Sequence, residues 1–133
     1  MLVTIEKVLL LKQMPMFKTV SNMALSDLMA VSEEQTLKKG ERLITDDTQN
    51  KNVYFVLSGS VLQESKNEKK TIEAHAVVGL DTVFWVAPAG KTVTIKQDSV
   101  VLKVERDKLY RMMALHPSLA MAILHELSEK IHK

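Results

Sequence analysis

"VYFVLSGSVLQES", Val53–Ser65, is the stretch whose reading decides the fold. Its β-branched and aromatic residues favour extended backbone, and Ser58-Gly59-Ser60 interrupts them as a hairpin-type turn would. Apolar strands of this kind need a sheet with a buried face, so the middle of the chain is expected to be β. Toward the N-terminus, "DDTQNKN" (Asp46–Asn52) reads as a polar loop, "RLIT" (Arg42–Thr45) as a short strand and Lys39-Gly40-Glu41 as a turn. Gly40 and Gly59 both fall where a tight turn with positive φ is expected. In the other direction, "KNEKK" (Lys66–Lys70) is a charged, solvated hairpin tip and "TIEAHAVV" (Thr71–Val78) is strand-like. "KTVTIK" (Lys91–Lys96) alternates with period two, and "SVVLKVE" (Ser99–Glu105) follows a Gln97-Asp98 turn.

The period changes at both ends. Ile5, Val8, Leu9 and Leu11 form a helical stripe that Pro15 stops. Ser21 can cap a second helix, in which Met23, Leu25, Leu28 and Met29 recur at helical spacing. Beyond Glu105, Leu109, Met112, Met113 and Leu115 mark a helix ended by His116-Pro117. Ser118 is then read as the cap of a last helix, with Leu119, Ile123, Leu127 and Ile131 four apart. The methionines read as adaptable core packing. No internal repeat or low-complexity linker is visible. Helices, then short strands at roughly 8–12-residue spacing, then helices imply a sandwich or barrel-like β core with helical covers.

Composition bounds the function. At 133 residues the chain has room for one domain with a real core. With 46% hydrophobic and 26% charged residues it is globular in character. A formal net charge of +2 gives no case for nucleic acid or an anionic membrane surface. With no cysteine, disulfides and thiolate metal sites are excluded. The apolar "VLLLK" (Val8–Lys12) follows Glu6-Lys7 and is too short for a membrane span; it reads as one helix face and not as a signal peptide.

Together these residues resemble the cyclic-nucleotide-binding domain family. The family pattern is K-G-E, a polar loop, an apolar-Tyr-apolar strand and S-G-S-V. Here Lys39-Gly40-Glu41 is followed at the usual separation by Val53-Tyr54-Phe55 through Ser58-Gly59-Ser60-Val61. The lead-in "MPMF" (Met14–Phe17) and the "LHPSLA" link (Leu115–Ala120) match as well. The resemblance spans nearly the whole chain. It implies a mainly β, jelly-roll-type β-roll as one domain over 1–133: N-terminal helices over 1–34, the roll over 35–105, and two closing helices over 106–133. A cytoplasmic location is expected with it.

The resemblance also places a phosphate-binding cassette in "VGLDTVFWVAPAGKTVTI", Val78–Ile95. Ligand-competent members carry Glu directly after a glycine, to accept from the ribose 2′-OH. Further on they carry Arg before Ser, Thr or Ala, to pair with the cyclic phosphate. This chain offers Gly79-Leu80-Asp81 and Lys91-Thr92. Leu80 cannot accept a hydrogen bond, and Asp81 stands one residue late. Lys91 keeps a charge without the planar fork of Arg. A hydrogen bond to a charged group is worth roughly 1.5–3 kcal/mol, so these changes together cost about 3–5 kcal/mol and turn a micromolar ligand into a near-millimolar one. Asp47 and Asn50-Lys51 also depart from the Gly and Gly-Asp usual in the preceding loop. Val83, Phe84, Trp85 and Val86 are expected to pack inward and plug the roll. The sharper reading gives Trp85 a base to stack on.

Elsewhere the chemistry is sparse. "HELSE" (His125–Glu129) is a near miss of H-E-x-x-H. His125, Glu129 and His132 share a helical face on which zinc is conceivable, but a solvated face explains them more simply, so no metal is assigned. His75 reads as a half-buried strand histidine, and His116 as a helix C-terminal residue whose ring suits the dipole. No His–Asp/Glu pair can be placed near Ser58 or Ser60, so no enzyme is expected. Arg106, Lys108 and Arg111 interleave with Glu105 and Asp107, the pattern of an ion-paired surface.

The favoured function is a non-catalytic regulatory or interaction module whose nucleotide site has degenerated, with no cofactor. Its partner is expected to be a second copy, through Leu119, Ile123, Leu127 and Ile131, or the remainder of a larger regulated protein. Those same residues can equally close the core. The alternative is a small-ligand sensor that still binds cAMP, cGMP or a related anion through Gly79, Leu80, Asp81, Lys91 and Thr92. No DNA-reading helix-turn-helix follows the last helix before Lys133, so no nucleic-acid contact is expected.

Overall fold

The computed structural model describes residues 2–131, with Ile131 placed in its backbone only. It consists of a six-stranded antiparallel β-roll with helices at both ends. The strands are β1 (Glu33–Leu37), β2 (Arg42–Ile44), β3 (Asn52–Glu64), β4 (Lys69–Glu73), β5 (Ala76–Val78) and β6 (Thr92–Glu105). β3 and β6 pair from Asn52 opposite Glu105 to Glu64 opposite Thr92. β1 and β2 add to the free edge of β6, and β4 and β5 to that of β3. Two long strands bent together thus make the frame of the roll.

The bend lies at Ser58-Gly59-Ser60, which is a bulge and not the hairpin turn expected from sequence. Strand β3 runs through it, and its register against β6 shifts between Val56 and Val61. A bulge adds an unpaired residue and turns the strand while keeping the pairing on either side. Gly59 takes φ +87°, and a Cβ there would overlap Ser99 Oγ and lie 2.6 Å from the Asp98 carbonyl. The flanking serines supply hydrogen bonds that the interrupted ladder lacks. Ser58 Oγ accepts from the Val100 amide at 3.3 Å, and Ser60 Oγ donates to Gln97 Oε1 at 2.9 Å. For the same reason Gln97-Asp98 lies within β6 and is not a turn.

The unbroken apolar run Val53–Leu57 follows from burial on both faces of β3. Val53, Phe55 and Leu57 enter a core shared with the helices, where the Phe17 and Phe55 rings lie 5.5 Å apart. Tyr54 and Val56 enter a second core inside the roll, with Val61, Val93 and Ile95. Burial pushes the Tyr54 phenol above its ordinary pKa.

The helices are α1 (Thr4–Lys12), a 3-10 turn (Pro15–Phe17), α2 (Asn22–Val31), α3 (Arg106–Leu115) and α4 (Pro117–Ile131). Ser21 caps α2 as expected, its Oγ accepting from the Ala24 amide at 3.1 Å. Ser118 does not cap α4. The helix already starts at Pro117, where a missing N–H costs nothing. His116 closes α3, and its Nε2 lies 2.8 Å from Asp27 Oδ2 on α2. Among the described residues, no helix is long and apolar enough to cross a membrane.

One surface expected from sequence needs correcting. Leu119 and Ile123 are fully buried, and Leu127 packs partly buried against the same core. Their four-residue spacing is that of a face closing the core of its own chain. The apolar residues that α4 offers outward are Met121 and Leu124. The side chain of Ile131 lies outside the described residues.

Candidate functional site

The candidate site is the turn that joins β5 to β6, together with the cleft it borders. Gly79 ends β5 at φ +89°. Thr82 and Val83 amides then donate to the Gly79 carbonyl at 3.2 and 2.9 Å, making one helical turn. Buried Asn50 holds this turn from outside it: Nδ2 donates to the Gly79 carbonyl at 3.2 Å and to Thr82 Oγ1 at 3.1 Å. Its Oδ1 accepts from the Asn52 amide at 3.2 Å. Arg106 Nη1 donates to the Val83 carbonyl at 3.3 Å, and the Phe84 ring lies 5.6 Å from that of Tyr110. The turn is therefore fastened both to the polar loop before β3 and to α3. Residues 85–90 run back along the 46–49 loop, with the Ala89 amide on the Thr48 carbonyl and the Gly90 amide on the Asp46 carbonyl.

A single turn has one inward side. Leu80 and Val83 occupy it and are buried, and Phe84 is half-buried. Trp85 and Val86 follow where the chain has left the turn, and they are 65% and 86% exposed. The expected inward plug thus ends at Phe84. Trp85 does not line the cleft, so the base-stacking role drawn for it there is corrected as well.

The cleft has a volume of about 670 Å³. Its sides come from β4 and β5 (Ile72, Ala76–Val78), the 3-10 turn (Pro15, Met16) and α4 (Glu126, Glu129, Lys130). Of the five sequence candidates, Gly79, Asp81 and Lys91 reach it. Leu80 faces the core instead, and Thr92 opens onto a separate cleft beside Arg42 and Lys66. Lys91 and Thr92 part company because successive residues of an extended chain point to opposite faces.

Lys91 is the buried cation of the site, with its side chain 10% exposed. Its Nζ donates to both carboxylate oxygens of Asp81, each at 2.8 Å. Burial alone would disfavour the charged Asp81 carboxylate. The hydrogen bonds and charge of Lys91, the nearby Lys130 charge and the Asp81 backbone amide outweigh it and hold the carboxyl below its usual range. Along the cleft, Glu68, Asp81, Glu126 and Glu129 face Lys70, Lys91 and Lys130, and Lys70 lies 3.4 Å from Glu68. Four carboxylates thus stand against three ammonium groups along the cleft, and Lys91 already has Asp81 as its counter-ion.

Sequence alone does not mark Thr82 or Lys130, and it marks Asn50 only as a departure in the loop, which is the signal it carries. His75 is half-buried and lines the cleft. His125 is exposed, 3.8 Å from Glu129, and His132 lies outside the described residues. Among the described residues, no three ligand-type side chains gather at a point where a metal ion could sit.

Comparisons with known proteins bear on the family and the fold. The family model described as "Cyclic nucleotide-binding domain" matches residues 34–116, more than half of the chain. No match is found among curated proteins. Among solved structures, the sensor domain of the transcriptional regulator DNR from Pseudomonas aeruginosa is similar at TM-score 0.80 and 20% identity, covering 97% of this chain and 91% of that one. The Catabolite Activator Protein of Thermus thermophilus is similar at TM-score 0.78 and 13% identity. The match covers 90% of this chain and 59% of that one. A cyclic nucleotide-binding domain from Methylobacillus flagellatus gives TM-score 0.78 and 17% identity, covering 97% of this chain and 78% of that one. At these identities the structures establish a shared fold.

Proposed function

The chain belongs to the cyclic nucleotide-binding domain family, and from that premise we propose that it is a non-catalytic regulatory or interaction module that does not take a cyclic nucleotide in the usual way. The observation that carries this reading is Leu80. It stands directly after Gly79, where the family's ribose acceptor belongs, and its side chain is 1% exposed inside the core. The Lys91–Asp81 pair supports the same reading from the phosphate side. Hydroxyls in the chain do not change this. Ser58 and Ser60 are engaged at the β3 bulge, and no catalytic role is proposed for them.

Partners fit the same reading. A second copy, or the remainder of a larger regulated protein, would meet Met121 and Leu124 on α4, since Leu119 and Ile123 are spoken for by the core. A second reading keeps the module as a sensor for cAMP, cGMP or a related anion; it is favoured by the cleft itself and by the retained Lys91.

Titration with cAMP and cGMP, followed by NMR shifts or calorimetry, separates the two. Saturable binding below about 100 μM, roughly −5.5 kcal/mol, overturns the module reading. No response at millimolar nucleotide overturns the sensor reading for these ligands.

A further inference from the structure

The cleft treats Asp81 much as a binding loop treats a bound anion. Its carboxylate receives the Lys91 ammonium on both oxygens at 2.8 Å. It is also favoured by the Asp81 amide and by the charge of Lys130, which lines the same cleft from α4. A phosphate at this point of the fold would collect the same groups: a cation, an amide of the turn after a positive-φ glycine, and a charge from the closing helix. The two partners differ in access to water, since the Lys91 side chain is 10% exposed and that of Asp81 40%. Lys91 lies in the wall of the cleft, and Asp81 is the partner that borders solvent.

We propose that Asp81 is a tethered anion that occupies the Lys91 position of the cleft, an autoinhibitory contact that closes a latent phosphate subsite. This inference rests on the module reading above and adds which group does the blocking and what lies behind it. Tethering explains why a free anion loses the competition. The turn bearing Asp81 is fastened by Asn50, Arg106 and Phe84, so the carboxylate stays at its site without any further loss of freedom. Removing its charge leaves a buried ammonium without a counter-ion, which an anion from solution would then restore. Lys130 lines the same cleft together with Glu126 and Glu129 of its own helix, so Lys91 is the cation that the variant releases.

The test titrates inorganic phosphate, and separately cAMP, into wild type, Asp81→Asn, Asp81→Ser and the double variant Asp81→Asn/Lys91→Met, read by amide NMR shifts. Asp81→Asn and Asp81→Ser are expected to bind phosphate at least about tenfold more tightly than wild type, the size of one charge-assisted hydrogen bond. Shifts should centre on residues 79–83 and 91, and the gain should vanish in the double variant. No gain in either single variant overturns the inference and leaves the module reading intact. So does a gain that persists without Lys91. Failure of both single variants to fold also overturns it, because the pair is then a structural strut. Saturable cAMP binding by the wild type below about 100 μM has a different meaning: it overturns the module reading itself.

Discussion

Asn50 Nδ2 donates to the Gly79 carbonyl at 3.2 Å and lies only 2.8 Å from where a Cβ on residue 79 would be. The hydrogen bond and the missing side chain are therefore one arrangement, in which the donor reaches the turn through space that only glycine leaves open. It joins the polar loop before β3 to the turn that carries Asp81.

Asn50→Ala removes both donated bonds and the bond accepted from Asn52. A loss of about 1–3 kcal/mol in unfolding free energy is expected, with faster amide exchange over residues 79–84 than in the rest of the roll. Unchanged exchange in that segment would show that Arg106 and Phe84 hold the turn unaided.

Gly59→Ala is expected to cost about 3 kcal/mol or more by urea denaturation, from backbone strain at φ +87° added to overlap with Ser99 and Asp98. Gly79→Ala should cost less, about 2 kcal/mol, because its nearest obstacles, Asn50 Nδ2 at 2.8 Å and the Asn52 carbonyl at 2.9 Å, stand farther off than Ser99 and Asp98 do at Gly59. The reverse order would place the critical bend of the roll at Gly79.

The Asp81 carboxyl is held below its unfolded-state pKa, so it binds its proton less readily in the folded protein. Its contribution to stability is present in full above the unfolded carboxylate range and is lost as the pH falls through the folded value. The stability gap between wild type and Asp81→Asn should accordingly shrink on acidification below about pH 4. Urea midpoints of both proteins across that window test this. A gap that stays constant would mean that Lys91 contributes nothing to the ionised state of Asp81.

Position along α4 should decide the effect of a charge. Ile123→Glu places a carboxylate in the helix-side core and is expected to unfold the chain or cost more than about 4 kcal/mol. Leu124→Glu, one residue on and 56% exposed, should change stability by less than about 0.5 kcal/mol. Light-scattering mass of wild type and Leu124→Glu then tests pairing through the outward face. The same monomer mass for both rejects a homodimer there.

The element order was legible because local chemistry writes it into the chain. The change from helical to alternating period, the Ser21 cap and Pro15 all describe contacts within a few residues. The hairpin turn read at Ser58-Gly59-Ser60 went astray for the same reason. A positive-φ glycine between serines looks alike in a turn and in a bulge, and only the partner strand distinguishes them. Similarly, the spacing of Leu119 and Ile123 specifies an apolar face without naming what covers it.

The site divides along that line. By itself, the sequence determined the order Gly79-Leu80-Asp81 and Lys91-Thr92; that Leu80 and Lys91 take the places of the family's carboxylate and guanidinium is what the resemblance implies. It also showed Asp81 one place late, with no indication of where that carboxylate goes. The tertiary structure decided this by bringing Asp81 within 2.8 Å of Lys91, ten residues further along. Charges at that separation in sequence pair only if the intervening chain folds back, and here the Gly79 turn, Asn50 and the 46–49 loop fold it back.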